Sequence, residues 1–296
     1  RTMPKDDGSP TDLEEKLIDA HVAIKGEWLQ PNIDFNHSTL CSLGLPYRSQ
    51  GDATSFVRSS GNTTLRLEAG KFVMPNGDVE SAGLPYGAQA RIIIIYLMSE
   101  AVKRQSPVVE LGMSFTRFCR EIGFHTDGRT MKRLREQVRR MSVLSMSIQT
   151  KHEDYTDFNQ SFVFRSFKVN ASDSAEQLDL FPSEIEFSHE FYTSLSNHAV
   201  PLRHEALKAL KNSARALDIY CWLAYRLPLV KDVQAIRWTS IRWQFANNKQ
   251  HMGSFKRDFI TALKHVMVVY PEARVAFTPR GIRLFQSAPP VRRLSG

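Results

Sequence analysis

The chain of 296 residues is 42% hydrophobic and 10% aromatic and carries a formal net charge of +8 at pH 7, which supports two domains with ordinary cores and favours a polyanionic partner. Its three cysteines are far apart, which excludes a disulfide framework and a CxxC metal site and fits a reducing cytosol. No apolar run approaches the roughly 18–20 residues that span a bilayer, and no secretory signal is visible.

The N-terminal part of the chain predicts a tail followed by short strands. We assign residues 1–35 to the tail, within which Leu13–His21 is compatible with a short helix. Thr54–Val57 and Thr63–Leu67 alternate in polarity around a glycine-containing turn, a pattern typical of a β-hairpin. A second tight turn is expected at Asn76-Gly77-Asp78.

The next segment predicts helix, strand, helix, helix, strand and strand, which is the element order of a winged helix. In chain order these elements are Ala88–Lys103, Val108–Leu111, Ser114–Ile122, Gly128–Leu144, Leu144–Thr150 and Ser161–Val169. The last two segments alternate like strands, and we predict that they pair with each other as the wing, across a polar connection.

A second set of elements in the same order follows a strand at Glu184–Phe187, a helix at His189–Ser196 and a bridge at Pro201–Lys211. The predicted elements are Leu217–Arg226, Ala235–Trp238, Thr239–Ala246, Gly253–Val269, Glu272–Phe277 and Gly281–Gln286. Residues after Ala288 are predicted to form a tail.

The two sets are related by a weak repeat at a constant offset of 125 residues. Gly128–Leu144 aligns with Gly253–Met267, and Arg91–Ala101 aligns with Ala216–Arg226. We therefore predict an α+β fold with two tandem winged-helix domains and small antiparallel β wings. The expected division is a tail at 1–35, an N-terminal domain at 36–200 and a C-terminal domain at 201–296.

The third helix of each unit has a polar outer face opposite an apolar inner face, because a helix advances about 100° per residue. The first outer face has five cations and one acid, which suits DNA phosphates. The second is mixed: Arg257 can reach guanine, and Ser254, Asp258 and Thr261 are short enough to approach base edges.

The alternative is that both helices are ordinary amphipathic helices with solvated outer faces. Such faces usually mix acids and bases for i,i+4 pairs, and the single acid among five bases on the first face counts against this alternative. The candidate DNA-binding residues, including wing cations, are Arg129, Lys132, Arg133, Arg139, Arg140, Arg165, Ser254, Lys256, Arg257, Asp258, Thr261, Lys264, Arg280 and Arg283. Lys168 is a further wing cation, although each wing residue alone is a weak signal.

Three motifs together resemble the RepA family of plasmid replication initiators over about residues 35–200. They are Leu43-Gly44-Leu45-Pro46-Tyr47-Arg48, Gly83-Leu84-Pro85-Tyr86-Gly87 before an apolar helix, and Leu111-Gly112-x-Ser114-Phe115-x-x-Phe118-x-x-x-Ile122-Gly123. The resemblance implies two winged-helix domains in tandem in a bacterial cytoplasmic protein associated with its plasmid or the nucleoid.

The resemblance also implies a function. Such proteins bind directly repeated sequences (iterons) in the double-stranded DNA of a plasmid origin, open nearby AT-rich DNA and recruit the host helicase and initiator. They switch between monomer and dimer, and the dimer represses its own gene. The C-terminal domain is expected to make most base contacts, and the N-terminal domain to contact backbone and carry the dimer surface.

The sequence predicts neither catalysis nor a cofactor or metal. No histidine forms a His-x-His pair, and Gly70-Lys71 lacks the spacing of a Walker A loop. Two other functions stay open: a winged-helix transcriptional repressor, and a tyrosine recombinase or relaxase, for which Tyr220 has the wrong spacing and instead fits the core. We assign Trp222, Trp238 and Trp243 to packing as well.

Overall fold

A computed structural model describes residues 11–26, 32–74, 76–152, 154, 156–169, 182–246 and 250–291. Its helices are accompanied by small antiparallel sheets, so the predicted α+β class is confirmed. Within these ranges no helix is both long and apolar enough to cross a membrane. The outermost parts of both predicted tails, residues 1–10 and 292–296, lie outside the described residues.

The N-terminal part contains two helices and five short strands. They are α1 (Asp12–Gly26), β1 (Ile33–His37), α2 (Ser38–Ser42), β2 (Ser55–Ser60), β3 (Thr63–Glu68), β4 (Lys71–Val73) and β5 (Val79–Ser81). The predicted hairpin forms, because β2 pairs with β3, and the tight turn predicted at Asn76-Gly77-Asp78 lies in a second hairpin of β4 and β5. Their turns contain Gly61 at φ +56° and Gly77 at φ +87°, a left-handed conformation that glycine adopts without strain.

The first repeat unit follows, with an extra hairpin inserted in it. Its elements are α3 (Gly87–Arg104), β6 (Val108–Glu110), α4 (Gly112–Glu121), α5 (Gly128–Ser142), β7 (Ser145–Lys151), β8 (Thr156–Phe162), β9 (Phe164–Val169) and β10 (Pro182–Phe187). The small sheet of this unit has the order β6-β10-β9.

The predicted pairing of Leu144–Thr150 with Ser161–Val169 holds only at Ser161 and Phe162 and is wrong for the remaining residues. β7 pairs with β8, which begins inside the predicted connection, and also with β3, giving a four-stranded sheet of order β2-β3-β7-β8. β9 pairs instead with β10, so the wing of this unit is β9–β10. The chain changes sheets at Val163 and Phe164, two consecutive residues that are both buried and so interrupt the alternation.

The second unit is simpler. After α6 (His189–His198), the predicted bridge contains β11 (Ala199–Arg203) and α7 (His204–Leu210). The unit itself comprises α8 (Ala214–Arg226), β12 (Gln234–Arg237), α9 (Trp238–Phe245), α10 (Met252–Val269), β13 (Val275–Thr278) and β14 (Gly281–Leu284). Its sheet has the order β12-β14-β13, equivalent to that of the first unit. The offset of 125 residues holds through α5 and α10 and fails beyond them, because of the inserted hairpin.

Segments near both termini pack onto the second unit. α1 lies within the predicted 1–35 tail, yet its Leu17, Ala20 and Ile24 are buried where it packs on α7 and α10. Val291 lies in the predicted C-terminal tail and is also buried. The boundaries at residues 36 and 201 stay a prediction.

The two units meet through a buried ion pair between their first helices. Arg91 of α3 donates from Nε to Oδ1 of Asp218 on α8 at 2.6 Å and from Nη2 to Oδ2 at 2.8 Å. The side chains are only 4% and 8% exposed. Arg91 also donates to the carbonyls of Leu45 and Pro46 at 2.5 and 3.1 Å, which satisfies more of its fork.

We predict that Asp218→Ala lowers the free energy of unfolding by about 3–5 kcal/mol, because it leaves the Arg91 charge buried without its carboxylate. Urea unfolding followed by circular dichroism measures this change. Glu121→Ala removes the exposed pair with Arg117 and should leave the urea midpoint unchanged. Equal midpoint shifts in the two variants would contradict the central role of the buried pair.

A second buried ion pair joins β1 to the start of α7. His204 donates from Nδ1 to Oδ2 of Asp34 at 2.8 Å, and the Lys103 Nζ lies 3.3 Å from Oδ1. Burial opposes both charges, but the hydrogen bond and charge of Asp34 outweigh it and raise the pKa of His204. Burial alone would raise the pKa of the Asp34 carboxyl. The hydrogen bonds and charges of His204 and Lys103 outweigh burial and lower this pKa.

Stability should therefore depend on pH. The raised pKa of His204 contributes stability that is complete below the unfolded value of about 6.5 and is lost as pH rises through the folded value. The lowered pKa of Asp34 contributes stability that is lost only in acid, as pH falls below about 4.

We predict that the melting temperature of the wild-type protein falls from pH 6 to pH 8. Asp34→Asn should abolish this decline, because it removes the carboxylate that stabilises the protonated form of His204. Thermal melts at half-unit pH steps provide the measurement. Asp232→Asn, at an exposed loop position, should keep the decline. An unchanged decline in Asp34→Asn would refute the assignment to this pair.

Candidate nucleic-acid interface

The first candidate surface is the outer face of α5. Asp127 caps this helix by accepting the backbone N–H of Thr130 at 2.9 Å, and Leu134, Val138 and Met141 are fully buried, as the apolar stripe predicts. Three cations in the N-terminal half are therefore exposed: Arg129, Lys132 and Arg133. Within the described residues none of them forms an ion pair.

The C-terminal half of α5 differs from the predicted phosphate face. The Arg139 side chain is 17% exposed, lies 3.1 Å from the Glu80 carboxylate and covers the Phe72 ring. Arg140 is 20% exposed and donates to Glu136 at 3.0 Å and to the Leu84 carbonyl at 3.1 Å. These two arginines bind the β4–β5 hairpin and the segment before α3, so their cations are already neutralised or hydrogen-bonded within the fold.

The second candidate surface is the outer face of α10. Phe255, Phe259, Leu263 and Val266 of this helix are fully buried, again as predicted. Arg257 is 78% exposed, and Thr261 and Lys264 are exposed beside it along the helix.

Five predicted residues of α10 already have local contacts. Arg257 Nε lies 3.7 Å from Asp258 Oδ1, and Thr261 Oγ1 donates to the Arg257 carbonyl at 3.0 Å. Ser254 Oγ donates to the His251 carbonyl at 3.0 Å, and Lys256 Nζ lies over the Trp238 ring at 5.6 Å. Asp258 accepts from Gln250 at 2.8 Å, and its carboxylate lies 3.4 Å from Arg215. The exposed polar face of α10 is therefore narrower than the sequence suggests.

The predicted wing cations fall into two groups. Arg165 lies 3.6 Å from Glu186, and Lys168 lies 2.6 Å from Glu184, so both are paired across the β9–β10 wing. Arg280, in the turn of the β13–β14 wing, and Arg283 on β14 are exposed and lack an ion-pair partner among the described residues. The second wing thus presents available positive charge, while the first has acidic neighbours.

The sequence assigns three tryptophans of the second unit to the core, and one of these assignments is wrong. Trp222 and Trp238 are buried as predicted, but Trp243 is 81% exposed on α9. Its repeat equivalent, Phe118, stacks on Tyr96 at 4.1 Å, whereas the position equivalent to Tyr96 is occupied by Cys221. The second unit therefore lacks the ring against which this aromatic side chain would pack.

Tyr220 is confirmed as a core residue. Its side chain is fully buried, and its hydroxyl oxygen accepts the backbone N–H of Arg203 at 2.9 Å. Burial raises the pKa of this hydroxyl far above its usual range. A hydroxyl that is both inaccessible and hard to ionise is poorly suited to attack DNA.

Comparison with known proteins connects this geometry to a family. A family model described as "Plasmid encoded RepA protein" matches residues 84–244, more than half of the chain, which therefore belongs to the RepA family of plasmid replication initiators. That membership implies DNA binding at a replication origin. No curated protein matches the chain at a significant level.

Two solved structures share the fold. Crystal structures of RctB domains 2 and 3 superpose with TM-scores of 0.54, for the selenomethionine derivative, and 0.53, at 11% and 10% sequence identity. The matches cover 81% and 83% of this chain and 88% and 94% of those chains. At such low identity the likeness concerns the fold alone.

The different environments of the arginines on α5 give a prediction. Arg140→Ala should lower the free energy of unfolding by about 1–2 kcal/mol, because it removes charged hydrogen bonds from a half-buried side chain. Arg129→Ala, on the exposed part of the same helix, should leave the urea midpoint unchanged. If both substitutions were neutral for stability, Arg140 would not hold the segment before α3.

Proposed function

We propose that the chain is a non-enzymatic plasmid replication initiator that binds iteron repeats in double-stranded origin DNA through α5 and α10. The observation that carries the proposal is the equivalent position of these helices in two structurally related units, each with an exposed, cation-bearing outer face. Helices in this position of a helix-turn-helix unit enter the major groove.

The two helices differ in the contacts that they offer. Arg129, Lys132 and Arg133 offer long, flexible cations without acidic partners in the described structure, which favours phosphate contacts and strong salt dependence. Arg257 has a planar fork that can donate two hydrogen bonds to guanine O6 and N7. Its Nε lies 3.7 Å from Asp258 Oδ1, but the side chain is 78% exposed, so this pair is weak and the fork can turn to a base.

The exposed wing cations support the same division of labour. Arg280 and Arg283 lie on the β13–β14 wing, next in the chain after α10, and suit contacts to the phosphates that flank the bases. We therefore assign most base contacts to the second unit and backbone contacts to the first.

Further steps of initiation follow from family membership. We propose that several bound copies open the neighbouring AT-rich DNA and bring in the host helicase and initiator, in the bacterial cytoplasm. We also propose a dimer that forms through the N-terminal domain and represses its own gene. The resemblance of the first unit to RepA proteins supports these roles.

Two alternatives make different demands on the protein. A transcriptional repressor with the same domains would bind DNA without melting an origin or recruiting a helicase. A tyrosine recombinase or relaxase would need an accessible tyrosine, which the buried Tyr220 does not provide. The initiator is therefore favoured by the family and by the location of this side chain.

Binding of fluorescein-labelled origin duplex tests the proposal. Arg257→Ala should lose about 1–3 kcal/mol of discrimination between the origin and a scrambled duplex, because a bidentate base contact disappears. Arg133→Ala should weaken binding to both duplexes alike and lower the slope of log K against log salt by about 0.9.

Arg104→Ala serves as the matched control, because Arg104 is the C-terminal residue of α3 and pairs there with Glu100. It should bind both duplexes like the wild-type protein. Unchanged affinity in both Arg133→Ala and Arg257→Ala would rule out the assignment of α5 and α10 as DNA-binding helices.

A further inference from the structure

An open groove of about 1080 Å³ lies beside the outer face of α5 and contains cations from three separate segments. They are Lys16 of α1, Arg129, Lys132 and Arg133 of α5, and Lys211 from the connection between α7 and α8. Among the residues that the structure describes, the acid that lines the groove is Glu136, which already accepts from Arg140. The groove is therefore strongly positive, and two of its cations come from outside the first repeat unit.

Lys211 is fixed at the wall of this groove by backbone oxygens. Its Nζ donates to the carbonyl of Ile122 at 3.0 Å and to that of Gly123, where α4 ends. Gly123 has φ +79°, and a side chain there would overlap the ammonium group of Lys211. The turn between α4 and α5 is thus shaped around this lysine, whose charge is held by neutral acceptors.

Lys16 reaches the groove from a helix whose position is fixed by packing. Leu17, Ala20 and Ile24 anchor α1, so the position of Lys16 next to α5 follows from the fold. Its Nζ lies 2.5 Å from Asp12, but both side chains are largely solvated, at 48% and 84% exposure, so this pair holds the lysine only weakly. A nearby phosphate can compete for the same ammonium group.

The cations are close enough to repel one another. Burial lowers the pKa of Lys211, and the charges of Lys16 and Lys208 lower it further. A bound anion would relieve this repulsion.

We propose that this groove binds phosphodiester groups of duplex DNA, so that the DNA contact of the first unit extends from α5 onto α1 and the α7–α8 connection. The inference rests on the proposed function, because the groove shares three cations with the outer face of α5. An open groove next to the outer face of α5 suits a polymer backbone. Free polyphosphate has the same chemistry and is the competing ligand.

The decisive variant is Lys16→Ala, measured with labelled origin duplex and a scrambled duplex of the same composition. The dissociation constant should rise by about two- to tenfold on both duplexes, and the salt slope should fall by about 0.9, as for one lost phosphate contact. Lys16→Glu should weaken binding more, and Lys16→Arg should restore both the affinity and the slope.

Lys25→Ala is the matched control on the same helix. Lys25 is nine positions after Lys16, which places it about 13.5 Å along α1 and on the opposite side of the helix. This variant should bind both duplexes like the wild-type protein.

Three results would overturn the inference. In the first, Lys16→Ala binds like Lys25→Ala while Arg133→Ala and Arg257→Ala are impaired, which leaves the proposed function intact. In the second, Lys16→Arg fails to restore binding, which points to packing and not to charge. In the third, calorimetry shows that tripolyphosphate binding needs Lys16 while DNA affinity does not. If Arg133→Ala and Arg257→Ala also bind normally, the proposed function itself fails.

Discussion

The organisation of this protein depends on one buried ion pair, between Arg91 and Asp218, which joins the first helices of the two units. Burying two charges is unfavourable unless the pair is nearly ideal and the remaining donors are satisfied. The carbonyls of Leu45 and Pro46 accept further hydrogen bonds from Arg91. Gly44 leaves room for the Asp218 carboxylate, which a side chain at position 44 would overlap. The relative placement of α5 and α10 thus depends on a short loop near the start of the chain.

Two of the motifs that carry the resemblance to RepA proteins have structural roles of the same kind. The Leu43–Arg48 motif surrounds the ion pair, and Tyr47 stacks against the Arg91 guanidinium at 4.8 Å. In the Gly83–Gly87 motif, the backbone of Leu84 and Tyr86 bonds to Arg140 and Gln137 of α5. These two motifs are therefore structural: they hold α5 and the junction between the units without belonging to the outer faces of α5 and α10.

The sequence predicts the helices of both units and their buried faces well, because a regular apolar stripe of 3.6-residue period has one interpretation. It fails at the first wing. There one alternating pattern covers the end of β8 and the whole of β9, which belong to two different sheets. It also fails at Arg139 and Arg140, which lie on the outer face by periodicity but bind chain segments that are remote in sequence. Trp243 is misassigned for a related reason, since its burial depends on a ring that only the other unit has. Long-range partners decide these cases, and local pattern does not report them.

The packing of α1 has a practical consequence for work with separate parts of the protein. This helix covers one side of α10 through His21, whose Nδ1 lies 2.7 Å from the Val268 carbonyl, and β1 pairs along the whole of β11. A fragment that begins at residue 201 would thus keep every element of the second unit and still lose the segment that covers α10. Dissection experiments with such a fragment would measure the effect of an uncovered apolar surface together with the loss of the first unit. Co-expressing residues 1–37 with the fragment would separate the two effects.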